Sequence, residues 1–301
     1  MLLIIFRAEG SLAQVQKAQS IKAAFYNVEN MFDTINDPFI LDSEFTPWGR
    51  MHWDGVRYRA KVEGVARVVS EMEADIVALA EVENENVVKD LVATIEDVDY
   101  AYVHYNSSDR RGIDIAILYR PERFFIDSMQ VFKIQTHRRE IITLFGEVSG
   151  QKVIFSACHL PSLLTDERTR TIVSQQAAIY FDWLASVDSS AYCIIAGDFN
   201  ATPSSSQMQA ILDGETSMNL INAMAELDKQ YTYAFGSKRL NFDYFLVGAN
   251  LENKFTTNLF VASYLFDNEL GKSMVVKPTY HSGSYVGGIS DHLPIIIEIN
   301  N

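Results

Sequence analysis

Apolar and polar positions change period repeatedly along this chain. In "IKAAFYNVEN", Ile21, Ala23 and Phe25 fall on one face of an extended strand. From Trp53 to Glu73, Val62, Val65, Val69 and Met72 recur at helical spacing, and from Glu167 to Val187 so do Val173, Ala177, Tyr180, Phe181 and Leu184. Short apolar runs lie around these helices: "ADIVALAEVEN", "GIDIAILYRP", "QKVIFSACHLP", "AYCIIAGDFN", "FDYFLVG" and "DHLPIIIEI". Their Ile, Val and Phe content predicts strands buried on both faces. Strands separated by amphipathic helices predict an α/β protein whose sheets are covered by helices. No linker, repeat or low-complexity tract divides residues 21–301, so one domain is expected after a lead-in over 1–20.

Composition narrows this picture. A chain of 301 residues with 48% hydrophobic content can bury a large core. Its net charge of −14 disfavours a grip on nucleic acid through a broad basic surface, because that mode needs Lys and Arg to displace condensed counterions. An enzyme that meets a phosphate through a metal ion remains allowed. Cys158 and Cys193 both sit in apolar stretches, which favours buried thiols over a disulfide, and they cannot build a zinc cluster. The N-terminus "MLLIIFRAEGSLAQVQKAQS" has two readings. Its apolar start and Ser11-Leu12-Ala13 suit an export signal, whereas Arg7 and Glu9 interrupt the apolar run and suit a disordered lead-in. The first reading would place the protein in the periplasm or outside the cell, the second in the cytoplasm. No stretch reaches the ~20 apolar residues of a membrane span, so stable membrane insertion is not expected; a monomer is.

The strands end in chemically demanding residues. Asn27 follows "AAFY", Glu81 follows "IVALA", His159 follows "IFSAC", Asp198 and Asn200 follow or flank the end of "CIIAG", and Asp291 with His292 opens the final strand. Strand ends in α/β sheets converge on one edge, where ligand crevices form. Carboxylates, amides and imidazoles without a cysteine suit a hard cation such as Mg²⁺ or Mn²⁺. Phosphoester hydrolysis needs such a set: charge neutralisation, activation of water and donors for the developing oxyanion.

The segments "FYNVEN", "LAEVEN", "RRGIDIAILYRP", "CHLPS", "AGDFNATP", "NFDYFLV" and "SDHLP" stand in an order that resembles the endonuclease/exonuclease/phosphatase superfamily. The resemblance runs from about residue 21 to residue 299, and "GDFN" and "SDHLP" are its most specific pieces. It implies a DNase I-like fold, a four-layer α/β/β/α sandwich of two mixed β-sheets flanked by helices. It also implies roles. Glu81 resembles the principal metal ligand, assisted by Asn27 and Asp291. Asp198 resembles the residue that positions or deprotonates the attacking water, and Asn200 a donor to the phosphate. His292 matches the histidine near the scissile phosphate, with Asp243 orienting it. His159 matches a second phosphate-contacting position, with Asp114 as its expected partner, and Arg110 or Arg111 would offer the phosphate a cation.

Each residue has a plainer rival: a turn former for Asp198, a solvated acid for Glu81, a strand-entry cap for Asp291, a structural carboxylate for Asp114. Glu83 and Glu85 read as neighbours of Glu81 on an exposed loop, and His52, His104, His137 and His281 lack any motif. Together the residues point to a metal-dependent phosphodiesterase, most simply a nuclease acting on DNA. A phosphatase or lipid phosphodiesterase on a small head group is the alternative, and a binding module without activity is a distant third. The irregular stretch from residue 35 to residue 58 holds two of the three Trp residues and reads as either a substrate-shaping loop or a packed flap.

Overall fold

The computed structural model describes residues 20–212, 220–227, 230–267 and 275–300. The lead-in expected over 1–20 lies outside the described residues except for Ser20.

The chain forms two mixed six-stranded sheets. The first contains β1 (Ile21–Met31), β2 (Ile76–Val82), β3 (Ala101–Tyr105) and β4 (Asp114–Tyr119). The second contains β5 (Phe124–Phe132), β6 (Ile141–Val148), β7 (Gln151–His159), β8 (Tyr192–Asp198) and β9 (Leu220–Asn222). A short hairpin, β10 (Tyr233–Phe235) and β11 (Lys238–Leu240), leads into β12 (Asp243–Gly248), which joins the second sheet. β13 (Phe255–Leu259) and the closing strand Ile295–Ile299 return to the first.

Both faces of the first sheet are buried, as its unbroken apolar runs predict. Ala23 and Phe25 of β1 share a core with the second sheet, whereas Ala24, Tyr26 and Val28 face a separate core. That outer core is completed by Val62, Val65, Val69 and Met72 of α1 (Gly55–Met72) and by Val87, Val88 and Leu91 of α2 (Glu85–Thr94). Asp54 caps α1, accepting from the amides of Val56 and Arg57, and Asn84 caps α2 in the same way. On the second sheet, α3 (Glu167–Val187) and α4 (Ser206–Leu212) contribute Val173, Ala177, Phe181, Met208 and Ile211. The result is the expected four-layer sandwich.

Two sequence expectations are corrected here. Glu83 is not on an exposed loop: it is 3% exposed and accepts a hydrogen bond from the Asp33 amide at 2.6 Å, while Glu85 opens α2. Asp291 and His292 do not open the last strand either. Pro294 has no amide hydrogen to contribute to a ladder, so regular pairing starts only at Ile295, opposite Phe25 of β1 and Leu259 of β13. His292 instead bridges to Tyr233 of the hairpin.

The long loop after β1 serves partly as a flap. Trp53 is fully buried and donates from Nε1 to the Phe32 carbonyl at 2.8 Å, with Phe32 stacked on Phe45 at 4.2 Å. Trp48 and Phe39 of the same loop are exposed.

Candidate active site

Strand direction explains where the site forms. β1 runs parallel to β2, and β7 parallel to β8, so Asn27, Glu81, His159 and Asp198 all lie at or near carboxyl ends of these strands. β12 is antiparallel to β8, so its first residue, Asp243, pairs in register with the last residue of β8, Asp198. On the other side, His159 of β7 is in register with the same Asp198. Three neighbouring strands therefore place His159, Asp198 and Asp243 in one row.

The two sheets meet at Asp198. Its Oδ2 accepts from Asn27 Nδ2 at 3.0 Å and its Oδ1 from the Asn200 amide at 2.8 Å. Asn27 is held in turn: its Oδ1 accepts from the Glu29 amide at 3.0 Å, and its carbonyl accepts from Ser290 Oγ at 2.7 Å. Asn200 adopts a left-handed conformation, φ 49°, and donates from Nδ2 to the Leu160 carbonyl at 3.1 Å. Asn is among the residues that tolerate that region.

Close approach of β7 and β8 depends on Gly197. A Cβ there would stand 2.4 Å from Cys158 Sγ and 2.5 Å from the Cys158 carbonyl oxygen. Cys158 and Cys193 are free and buried, as expected.

His292 is oriented by Asp243, whose Oδ2 lies 2.8 Å from His292 Nδ1. The imidazole Nε2 lies 3.8 Å from Asp198 Oδ2 and 3.9 Å from Asp291 Oδ1. Burial opposes charging this ring, but Asp243, Asp198 and Asp291 outweigh it and raise its pKa well above the ordinary histidine value. Burial pushes the Asp198 carboxyl up to about 7; His292 opposes the shift and Asp243 adds to it. Two groups that sequence reading passed over complete this unit. Tyr233 packs on His292 with ring centres 4.7 Å apart, and Thr232 Oγ1 accepts from the amides of Phe242 and Asp243. Both lie in a segment without motif character, so no sequence signal marked them.

His159 Nε2 stands 3.6 Å from Asp198 Oδ2 and 3.7 Å from Glu81 Oε1. Burial, followed by the charges of Arg139 and Arg111, pulls its pKa well below the histidine norm, so it is neutral. The expected pairing of His159 with Asp114 is not formed. Asp114 Oδ2 lies 3.1 Å from His104 Nε2, because those residues sit on adjacent strands β4 and β3, and its Oδ1 accepts from the Ser107 amide. Asp114 thus holds a loop rather than the imidazole. Arg110 and Arg111 are both exposed; Arg111 is the one whose charge acts on His159.

Of the three expected metal ligands, Glu81 and Asp291 keep 15% and 20% of their side chains open, whereas Asn27 is buried against Asp198. Glu81 has φ 69° and accepts from the Asn30 amide at 2.9 Å. Although a fifth of the Asp291 side chain stays open, burial raises its pKa well above the carboxylate norm, and the carboxylates of Glu29 and Glu81 raise it further. Such crowding of hard oxygen donors fits a divalent cation. A second grouping also exists among the described residues: Asp198, Asp243 and His292 offer donor atoms within 4.8 Å of one another. His292 Nδ1 is engaged by Asp243 Oδ2, so coordination in this grouping would fall to His292 Nε2 and would take the ring nitrogen that faces Asp198.

A buried lysine was also missed by motif reading. Lys61 donates from Nζ to the Glu29 carbonyl at 2.9 Å, to Thr279 Oγ1 at 2.6 Å and to the Ile289 carbonyl. The Glu29 carboxylate accepts from the amides of Thr279 and Tyr280. α1, the end of β1 and the loop leading to Asp291 are fastened together in this way.

A family model described as Endonuclease/Exonuclease/phosphatase family matches residues 22–301. No curated protein sequence matches the chain significantly. Among solved structures, truncated TDP2 from Caenorhabditis elegans is 15% identical with a TM-score of 0.67, covering 96% of this chain and 100% of its own. TDP2 from D. rerio, complexed with single strand DNA product, is 18% identical with a TM-score of 0.64, covering 94% and 99%. The mannosyl-6-phosphatase Bt3783 from Bacteroides thetaiotaomicron is 17% identical with a TM-score of 0.63, covering 93% and 100%. At these identities the likeness is one of fold. With the family model spanning both sheets and every site residue, the chain belongs to the endonuclease/exonuclease/phosphatase family of phosphoester hydrolases.

Proposed function

We propose that this protein is a divalent-metal-dependent phosphodiesterase with endonuclease-like activity on DNA. The observation that carries the reading is the linked pair of contacts Asn27–Asp198 and His292–Asp243, which brings a buried carboxylate and an oriented imidazole to one edge of both sheets. Glu81, Asn27 and Asp291 would hold Mg²⁺ or Mn²⁺, which when bound supplies neutralisation of phosphate charge.

The protein's own groups divide the remaining work. Asp198, with a pKa near 7, takes a proton from the attacking water as its oxygen bonds to phosphorus. The ester P–O bond breaks, and His292, kept protonated by Asp243, gives a proton to the departing oxygen. Asn200 and neutral His159 serve as polar contacts for the phosphate oxygens, and Arg111 offers charge from the rim. The products are a phosphomonoester and an alcohol.

The test is nicking of supercoiled plasmid by purified protein with Mg²⁺, with EDTA, and with His292→Ala. Nicking lost in both controls is the expected result. Absence of nicking by the folded, Mg²⁺-supplied wild type would overturn the nuclease assignment. The same residues would then act on a small phosphoester or lipid head group, a reading favoured by the net charge of −14.

A further inference from the structure

Thr232 sits where three segments that carry the Asp243–His292 pair cross. Its amide donates to the Leu240 carbonyl at 3.1 Å, and its carbonyl accepts from the amide of Leu293, the residue after His292, at 2.7 Å. Its hydroxyl oxygen accepts from the amides of Phe242 at 3.0 Å and Asp243 at 3.2 Å. The residue is 2% exposed, so bulk water does not serve it. A threonine hydroxyl has two lone pairs and one hydrogen to give. Here both lone pairs are engaged, and the hydrogen meets no acceptor among the described residues.

Asp243 shows the complementary lack. Its Oδ2 meets His292 Nδ1 at 2.8 Å, whereas its Oδ1 is buried and has no hydrogen-bond partner among the described residues. Such groups are rare in native proteins, because a desolvated carboxylate oxygen without a donor is costly. Thr232 and Asp243 line one cavity of about 10 Å³, with Asn241 and Tyr244 as further polar walls and Met224 and Leu259 as apolar ones. That volume suits a single water molecule, which needs two or more polar partners to stay. A hydroxyl with a hydrogen to give and a carboxylate oxygen that needs one supply them.

We propose that this cavity holds a structural water that accepts from Thr232 Oγ1 and donates to Asp243 Oδ1, which makes Thr232 a positioning residue for His292. One carboxylate oxygen then serves the imidazole and the other the water, so the carboxylate cannot turn and its negative charge is shared over both bonds. Held in this way, Asp243 keeps the proton on Nδ1 of the ring and leaves Nε2 to face the reaction. That the pair acts in phosphoester cleavage rests on the reading above; the hydration of Asp243 does not.

The test has a part that needs no activity. A high-resolution crystal structure of the wild type should show an ordered water within hydrogen-bonding distance of both Asp243 Oδ1 and Thr232 Oγ1. A dry cavity, or a direct bond between those two atoms, would overturn the proposal. The His292 Nδ1 proton resonance is then recorded by NMR, in EDTA, for Thr232→Val, Thr232→Ser and Leu259→Phe, the last of which fills the cavity and spares Thr232. It should move in Thr232→Val and in Leu259→Phe and stay in place in Thr232→Ser. A shift in only one of the first two, or in neither, would show that the water does not link Thr232 to the ring. If Thr232→Val does not fold, Leu259→Phe decides alone. With Mg²⁺ and bis(p-nitrophenyl) phosphate, Thr232→Val should lower kcat about tenfold, the loss expected for one hydrogen bond to a charged group, with KM unchanged. Thr232→Ser should restore kcat, and an equal loss in both variants would take the hydroxyl out of the mechanism. A protein that cleaves no phosphodiester still answers through the crystal structure and the resonance, so failure of the enzymatic reading is told apart from failure of the water site.

Discussion

Asn27 Nδ2 lies 3.0 Å from Asp198 Oδ2, joining side chains 171 positions apart and on different sheets. This bond depends on how the two sheets pack, so the position of the Asp198 carboxylate reports on the whole sandwich. It also fixes one lone pair of Asp198 while the Asn200 amide fixes the other oxygen, leaving little freedom for the carboxylate to swing.

Asp243→Asn should lower kcat roughly 10²–10⁴-fold, the range for a lost acid/base contribution, with little change in metal affinity. The amide can still meet Nδ1 of His292, but it no longer stabilises the charged ring, which three carboxylates now keep protonated. Single-turnover hydrolysis of a phosphodiester, read alongside Mn²⁺ binding, measures both. A mutant as fast as wild type would remove Asp243 from the chemistry.

Glu81→Gln should raise the concentration of Mg²⁺ or Mn²⁺ needed for half-maximal activity by more than about tenfold, because one charged oxygen donor is lost from a crowded set. The fold should persist, since Glu81 is partly open and the hydrogen bond it accepts from the Asn30 amide can be accepted by an amide oxygen as well. Metal titrations monitored by activity and by thermal shift would reveal an unchanged requirement if Glu81 is only a solvated acid.

Much of this was legible in the sequence because the site lies at strand ends, and strand ends are where an apolar run stops at a polar residue. Asn27, Asp198 and His159 announce themselves that way, and the family resemblance ordered them. Asp114 misled for the opposite reason: it begins a strand whose neighbour, β3, carried no motif, so its partner His104 was invisible. Lys61 and Arg139 were missed because each lies in a segment that reads as an ordinary charged surface. Only the fold turns those side chains inward, where Lys61 is 3% exposed and Arg139 is 8%.

Lys61→Met should destabilise the fold by about 3 kcal/mol, since it strips three acceptors of their donor and leaves the buried Glu29 carboxylate without its nearby cation. Burial lowers the Lys61 pKa to about 8 against the pull of Glu29, Asp291 and Glu81, so near neutral pH the amine that donates to these acceptors is still mostly charged. Urea unfolding of the mutant, with C_m lowered and the m-value unchanged, is the expected signature. A loss below about 1 kcal/mol would show that water replaces the amine freely.

His137 ties stability to pH. Its pKa is lowered to about 4, first by burial and then by the Arg139 charge, although its bond to the His159 carbonyl opposes the shift. Above about 6.5, the ordinary histidine value, the ring is neutral in folded and unfolded chains alike and His137 adds no pH dependence to the stability. Between 6.5 and 4 the unfolded chain takes up a proton that the folded chain refuses, so stability falls by up to about 1.4 kcal/mol per pH unit. Below about 4 both forms carry the proton and this contribution stops changing. Urea titrations at pH 7 and pH 4.5 should therefore differ less for His137→Gln than for wild type, because glutamine does not titrate. An identical pH dependence in the two proteins would mean that His137 is protonated as readily in the fold as outside it.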